Sequence, residues 1–126
     1  MTPTRGQAER TLSQQIQALY RDHLEHQPAR VTCQLLTEKL VVVIEDSITQ
    51  PEQILVEEGQ TGLVEQVRAT LSAAIEPLMK ALVEDVLGVA VTDFMSDAKL
   101  DSGRTGIIMM LSEVPELRHA AAKTAT

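Results

Sequence analysis

Residues 30–44 read RVTCQLLTEKLVVVI, and the fold is decided there. Val31, Cys33 and Leu35 alternate with Thr32 and Gln34, the period-two pattern of a strand with one buried face. Thr37-Glu38-Lys39 is a connection of hairpin length, so a second strand, Leu40 to Ile44, returns antiparallel to the first. In that second strand Leu40, Val42 and Ile44 alternate with Val41 and Val43, and both sets are apolar. A strand of this kind reads as covered on both faces.

Upstream, Leu12, Ile16, Leu19, Tyr20, His23 and Leu24 recur at steps of three and four, the signature of an amphipathic helix. Gln27-Pro28 stops it near His26, because a residue before proline is pushed away from the helical region. Residues 1–6 read as a flexible leader. Downstream, Thr49-Gln50-Pro51-Glu52 supplies a cap, a first-turn proline and a glutamate placed to reach back to the cap amide. The helix begun there pauses at Gly59-Gln60-Thr61-Gly62.

A long helix is then expected over Leu63–Leu87, burying a stripe that includes Leu63, Val67, Leu71, Leu78 and Leu82. Pro77 inside it predicts a kink, and Gly88 is a natural terminator. Val89–Met95 reads as a third strand, Ser96–Thr105 as a polar connection and Ile107–Leu111 as a fourth strand apolar on both faces. The expected fold class is α+β in the order α-β-β-α-β-β. A four-stranded antiparallel sheet carries the long kinked helix on one face, and the N-terminal helix, a second protomer, or both, on the other. One domain over residues 7–112 is flanked by the leader and by a flexible tail over 113–126.

Composition narrows the function classes. In 126 residues, Lys and Arg number 11 against 18 Asp and Glu, and the net charge of −7 repels phosphate backbones and anionic lipid. Nucleic-acid binding is not expected. The longest apolar runs, Leu40–Ile44 and Ile107–Leu111, fall far short of the ~20 residues that span a bilayer, so no direct membrane insertion is expected. A single cysteine, Cys33, and no secretory opening point to a cytoplasmic protein.

Chemistry-bearing motifs are sparse. Cys33 reads as a small buried hydrophobe, since no cation adjoins it in sequence to activate the thiol. His23 and His26 are spaced for a shared metal but make an incomplete ligand set, and His119 lies in the tail. Asp97–Gly103 has oxygen residues at the first and fifth positions of a calcium loop, but Lys99 at the third and Ser102 at the sixth spoil it. Asp93 and Asp97, four apart on a strand, lie ~13 Å apart and form no acid/base pair. No catalytic residue, cofactor or metal is expected.

Arg68 is the informative charge. It lies on the helical ridge of Val64, Leu71 and Ile75, where a guanidinium must snorkel, pair with Glu65 or a more distant acid, or meet a partner chain.

Taken together, these residues resemble the MpsC family, small bacterial proteins named for a sodium-translocating, membrane-potential-generating system. The resemblance spans Arg30 to Leu111. It rests on the hairpin running into Ile48-Thr49, then Glu52, Leu55 and Gly59, Arg68, the Pro77 helix ending in Gly88-Val89, and the Ser96-Asp97 pair before the last strand. Ile48 stands where the family usually has leucine, and Glu38-Lys39 replaces a glycine-aspartate type of turn.

The resemblance implies a small α+β protein with an accessory role beside membrane ion or inorganic-carbon transport, and brings no catalytic residues with it. The expectation is a non-enzymatic adaptor or regulatory protein, homodimeric, that docks another protein such as a membrane transport component. The alternative is a small-ligand sensor whose cleft lies near Arg68, Ser96 and Asp97.

Overall fold

A computed structural model describes residues 2–118. Seven elements follow in the order α1 (Arg5–Leu24), β1 (Arg30–Leu36), β2 (Lys39–Glu45), α2 (Gln50–Glu57), α3 (Thr61–Leu87), β3 (Val91–Lys99) and β4 (Arg104–Leu111). The strands form one antiparallel sheet in the order β1-β2-β4-β3. The α+β class and the four antiparallel strands agree with the sequence reading, with the Gly59 pause separating α2 from α3 as two helices.

The pleat sorts the side chains. Val31, Cys33 and Leu35 stand beside Ile44, Val42 and Leu40, which continue into Thr105, Ile107 and Met109 on β4. All nine are buried. Against this face lie Leu12, Ile16, Leu19 and Tyr20 of α1 together with Ile75, Met79, Val83 and Leu87 of α3. α1 sits over β1, α3 reaches β3, and the two helices also pack on each other.

Both long helices therefore occupy the same face, which corrects the expectation that the N-terminal helix shields the opposite one. Two helices at the usual spacing of about 10 Å span the ~19 Å width of four strands, so neither has room or need to cross over. The opposite face carries Val41, Val43, Met95, Ile108 and Met110, and no described element lies on it.

The inward seam of α3 is Val64, Arg68, Leu71, Ile75, Met79, Val83 and Leu87, one position round from part of the expected stripe. Leu63 and Leu78, expected inside, are exposed. Leucine-rich rows occur on two adjacent ridges of this helix, and periodicity alone does not choose between them. Pro77 and Ala73, whose carbonyl it deprives of an intrahelical donor, are both exposed, and the helix continues to Leu87.

Other boundaries shift for local reasons. Thr4 caps α1 in a complete capping box with Gln7, so the expected leader contains the cap and the first two helical residues. The Arg118 amide donates to the Pro3 carbonyl at 2.8 Å, bringing the two ends together; the expected tail beyond Arg118, with His119, lies outside the described residues. The β1–β2 turn is two residues, Thr37 and Glu38, with Thr37 at φ 55°. β3 extends to Lys99, so Ser96 and Asp97 belong to a strand, where a connection had been expected.

Each edge strand loses an amide to a helix carboxylate. Glu9 Oε2 accepts from the Leu35 amide of β1 at 2.7 Å, and Glu84 Oε2 accepts from the Val91 amide of β3 at 2.8 Å. An edge donor already engaged cannot recruit a foreign strand.

Candidate functional site

The residues singled out by sequence meet at one end of the sheet, where the β2–α2 loop, α2, α3 and the β3–β4 turn converge. The loop enters through Asp46 at φ 56°, and Ser47 donates its amide to the Gly103 carbonyl at 2.8 Å. The Ser47 hydroxyl bonds the same carbonyl at 3.0 Å and the Thr105 hydroxyl at 2.8 Å. Gly103 has φ 72°, a value that favours glycine, and this turns the hairpin back onto the loop.

Thr49 and Glu52 form the capping box expected of α2, with the Thr49 amide donating to Glu52 Oε1 at 3.1 Å and its hydroxyl at 2.7 Å. Glu52 is nevertheless 0% exposed, which a surface cap would not be. Its carboxylate is held by Arg68: Nε donates to Oε2 at 2.8 Å and an Nη to Oε1 at 2.9 Å. The same guanidinium donates to the Ser47 carbonyl at 3.2 Å. Such a two-pronged, multiply hydrogen-bonded pair is the geometry in which burial of opposite charges is tolerated.

Arg68 thus pairs with a distant acid rather than with Glu65. Sequence reasoning treated Glu52 only as a cap and missed its role as the counter-charge; the signal was present, since an arginine on a buried seam requires an acid, but its partner lies 16 residues away. Tyr20 completes the surroundings. Burial pushes its phenol above the ordinary value, the Arg68 guanidinium pulls it down, and Glu52 adds to the rise.

Beside this pair a cleft of about 530 Å³ opens between α3 and the β3–β4 hairpin, and Arg68, Ser96 and Asp97 all border it. They do not converge. Ser96 stands beside Ile107 on the helix-covered face, whereas Asp97 pairs with Gly106 and points to the open face. Arg68 commits its Nε and one Nη to Glu52 and Ser47.

The remaining candidates sit in structural positions. Cys33 is buried, and burial pushes its thiol up to about 11, against a hydrogen bond from Ser13 that lowers it and a nearby Glu9 that raises it. His26 places a ring nitrogen 2.6 Å from the Asp46 carbonyl, while His23 is exposed. Among the described residues no group of three or more His, Cys, Asp or Glu could hold a metal ion. Among them, too, no helix is long and apolar enough to cross a membrane.

The open face is laid out by the register. One end row is Leu36, Lys39, Met110 and Asp93; the next two are Gln34, Val41, Ile108, Met95 and then Thr32, Val43, Gly106, Asp97. The other end row carries Arg30, Glu45, Arg104 and Lys99. Ile108 and Met95 are 43% and 47% exposed. Gly106 leaves an apolar hollow of about 430 Å³ between Val43 and Ile108.

Fold and site together describe a small α+β protein whose sheet is helix-covered on one side and apolar on the other, with its buried charges locked in place. The chain matches the MpsC family, described as the Na+-translocating membrane potential-generating system, over residues 4–113, and it belongs to that family. No curated protein and no solved structure matches it.

Proposed function

We propose that this protein works by protein–protein contact, as a non-enzymatic cytoplasmic adaptor or regulatory module beside the ion-translocating membrane system for which its family is named. Exposed apolar surface, on the open sheet face and on the outer side of the helices, carries the reading. Large apolar side chains in one contiguous patch mark a contact surface more often than a solvated one. Ile54 on α2 and Leu63 and Leu78 on α3 are further exposed apolar side chains.

Photo-crosslinking groups at Leu63 and Leu78 in native membranes test it. Adducts with a component of the ion-translocating system, identified by mass spectrometry, are expected. Absence of such adducts from both positions would contradict the adaptor role.

The cleft beside Arg68 favours a second reading, a small-ligand sensor, because Glu65, Ser72, Ser96 and Lys99 bring polar groups to its walls. A thermal-shift screen with nucleotides and carboxylates separates the two. A site occupied at 100 times its dissociation constant stabilises by ~2.7 kcal/mol. The adaptor reading expects no shift.

A further inference from the structure

We infer that the open sheet face is closed by a second copy of this chain, through a two-fold axis lying between the two sheets and running across the strands. This rests on the interaction reading above and names the occupant of one of its surfaces. Two properties of the face argue for self-association: its charges are complementary to themselves, and its relief is a knob beside a matching hole.

A two-fold of this orientation sets each strand over its own counterpart with the direction reversed, so one end row meets the other. Lys39 then lies over Glu45 of the partner subunit, and Asp93 lies over the partner's Lys99; symmetry repeats both pairs. Four opposite-charge pairs result from one operation. The other face-to-face two-fold, along the strands, sets Glu45 over the partner's Arg104 but Arg30 over the partner's Lys99, so attraction and repulsion offset each other at that end, and it leaves Lys39 and Asp93 without an opposite charge at the other. The charge pattern selects the first arrangement.

The middle rows exchange as well. Val41 meets Val43 of the partner subunit, and Ile108, 43% exposed, meets the hollow over the partner's Gly106. Glycine weakens a strand interior unless something approaches it closely. Among the described residues nothing does, for a Cβ built at Gly106 finds no atom within 4 Å. The approaching group is supplied by the two-fold. Three pairings are not complementary: Met95 over the partner's Asp97 and Leu36 over the partner's Arg30 fall on edge strands, where the charge can turn to water, and Met110 meets the aliphatic stem of the partner's Arg104.

A footprint of four strands by about seven residues is roughly 19 by 23 Å on each copy, below the standard size of a specific interface and in the range of weak, transient ones. The expected dimer therefore dissociates in the micromolar range, and more readily in high salt.

Sedimentation of the purified full chain from about 1 to 100 µM tests this with no other protein present, so its outcome is independent of the membrane crosslinks. The expected result is a mass rising from 13.8 kDa to twice that value across the series. Gly106→Val fills the hole where a Cβ has room, so the variant should keep the wild-type circular dichroism and Tm at low concentration and remain monomeric. Lys39→Glu should raise the dissociation constant at least tenfold, and adding Glu45→Lys should restore it. A wild-type chain of 13.8 kDa at every concentration, a Gly106→Val dimer as tight as wild type, or a charge swap without rescue would each overturn the arrangement; the first would give the face to a different protein.

Discussion

Arg68 grips both carboxylate oxygens of Glu52, at 2.8 and 2.9 Å, inside a protein that leaves Glu52 no contact with water. The pair joins α2 to α3, and through the Ser47 carbonyl it also holds the loop leaving β2. Removing one partner leaves the other charge buried and alone. Arg68→Met is therefore expected to cost about 3–5 kcal/mol in urea unfolding. Arg68→Met combined with Glu52→Met removes both charges and should be less destabilised than the Arg68 variant alone. A double variant at the sum of its singles would show that the two residues act separately.

Both edge strands depend on a carboxylate from the covering helices. Glu9→Ala and Glu84→Ala each free one amide, at Leu35 and at Val91, and each should cost about 1–2 kcal/mol. The sites lie at opposite edges of the sheet, so the losses should add. Light scattering during thermal unfolding should rise in the double variant, because both edges then offer a free donor.

Alkaline pH should weaken the fold in two stages. Cys33 is raised from 9.0 to about 11, so it contributes stability that is complete below pH 9 and lost as pH climbs towards 11. Tyr20 is raised from 10.0 and has the same sign, its contribution being complete below pH 10 and lost as pH rises from there through its folded value. Cys33→Val should flatten the stability profile between pH 9 and 11, while Tyr20→Phe should flatten it only at the upper end. In the native protein the thiol should react with a disulfide reagent no faster than the protein opens.

Two helix ends adopt the left-handed conformation with different residues. Glu25 closes α1 at φ 51° and Gly88 closes α3 at φ 70°. Glu25→Gly should raise stability by about 1 kcal/mol, since it relieves the strain and removes a negative charge from the negative end of the helix dipole. Gly88→Ala should lower it by about 1 kcal/mol. Guanidinium melts of the two variants should move in opposite directions.

The hairpin of β1 and β2 was legible because Thr32 and Gln34 break the apolar run and fix which side is buried. β2 and β4 carry apolar residues on both sides, so the sequence read as covered on both faces, and nothing in it said that both helices would take the same one. α3 misled in the same way, with Leu63 and Leu78 offering a rival ridge to Val64 and Met79. Polar composition disguised Ser96 and Asp97 as a turn, although cross-strand pairing to Ile107 and Gly106 sustains a strand there. Arg68 was recognised as out of place on an apolar ridge. Glu52 was not recognised as its partner, because a capping glutamate is ordinarily exposed and only tertiary packing buries this one.

The central claim is that the uncovered sheet face is a working contact surface. Methyl spectra recorded with a soluble paramagnetic agent test it residue by residue across a concentration series. Val41, Val43 and Ile108 should be broadened in dilute solution and progressively shielded as concentration rises, with Ile54 and Leu63 equally broadened throughout. Shielding that never develops on the sheet methyls, or that develops at Leu63 in their place, would contradict the account.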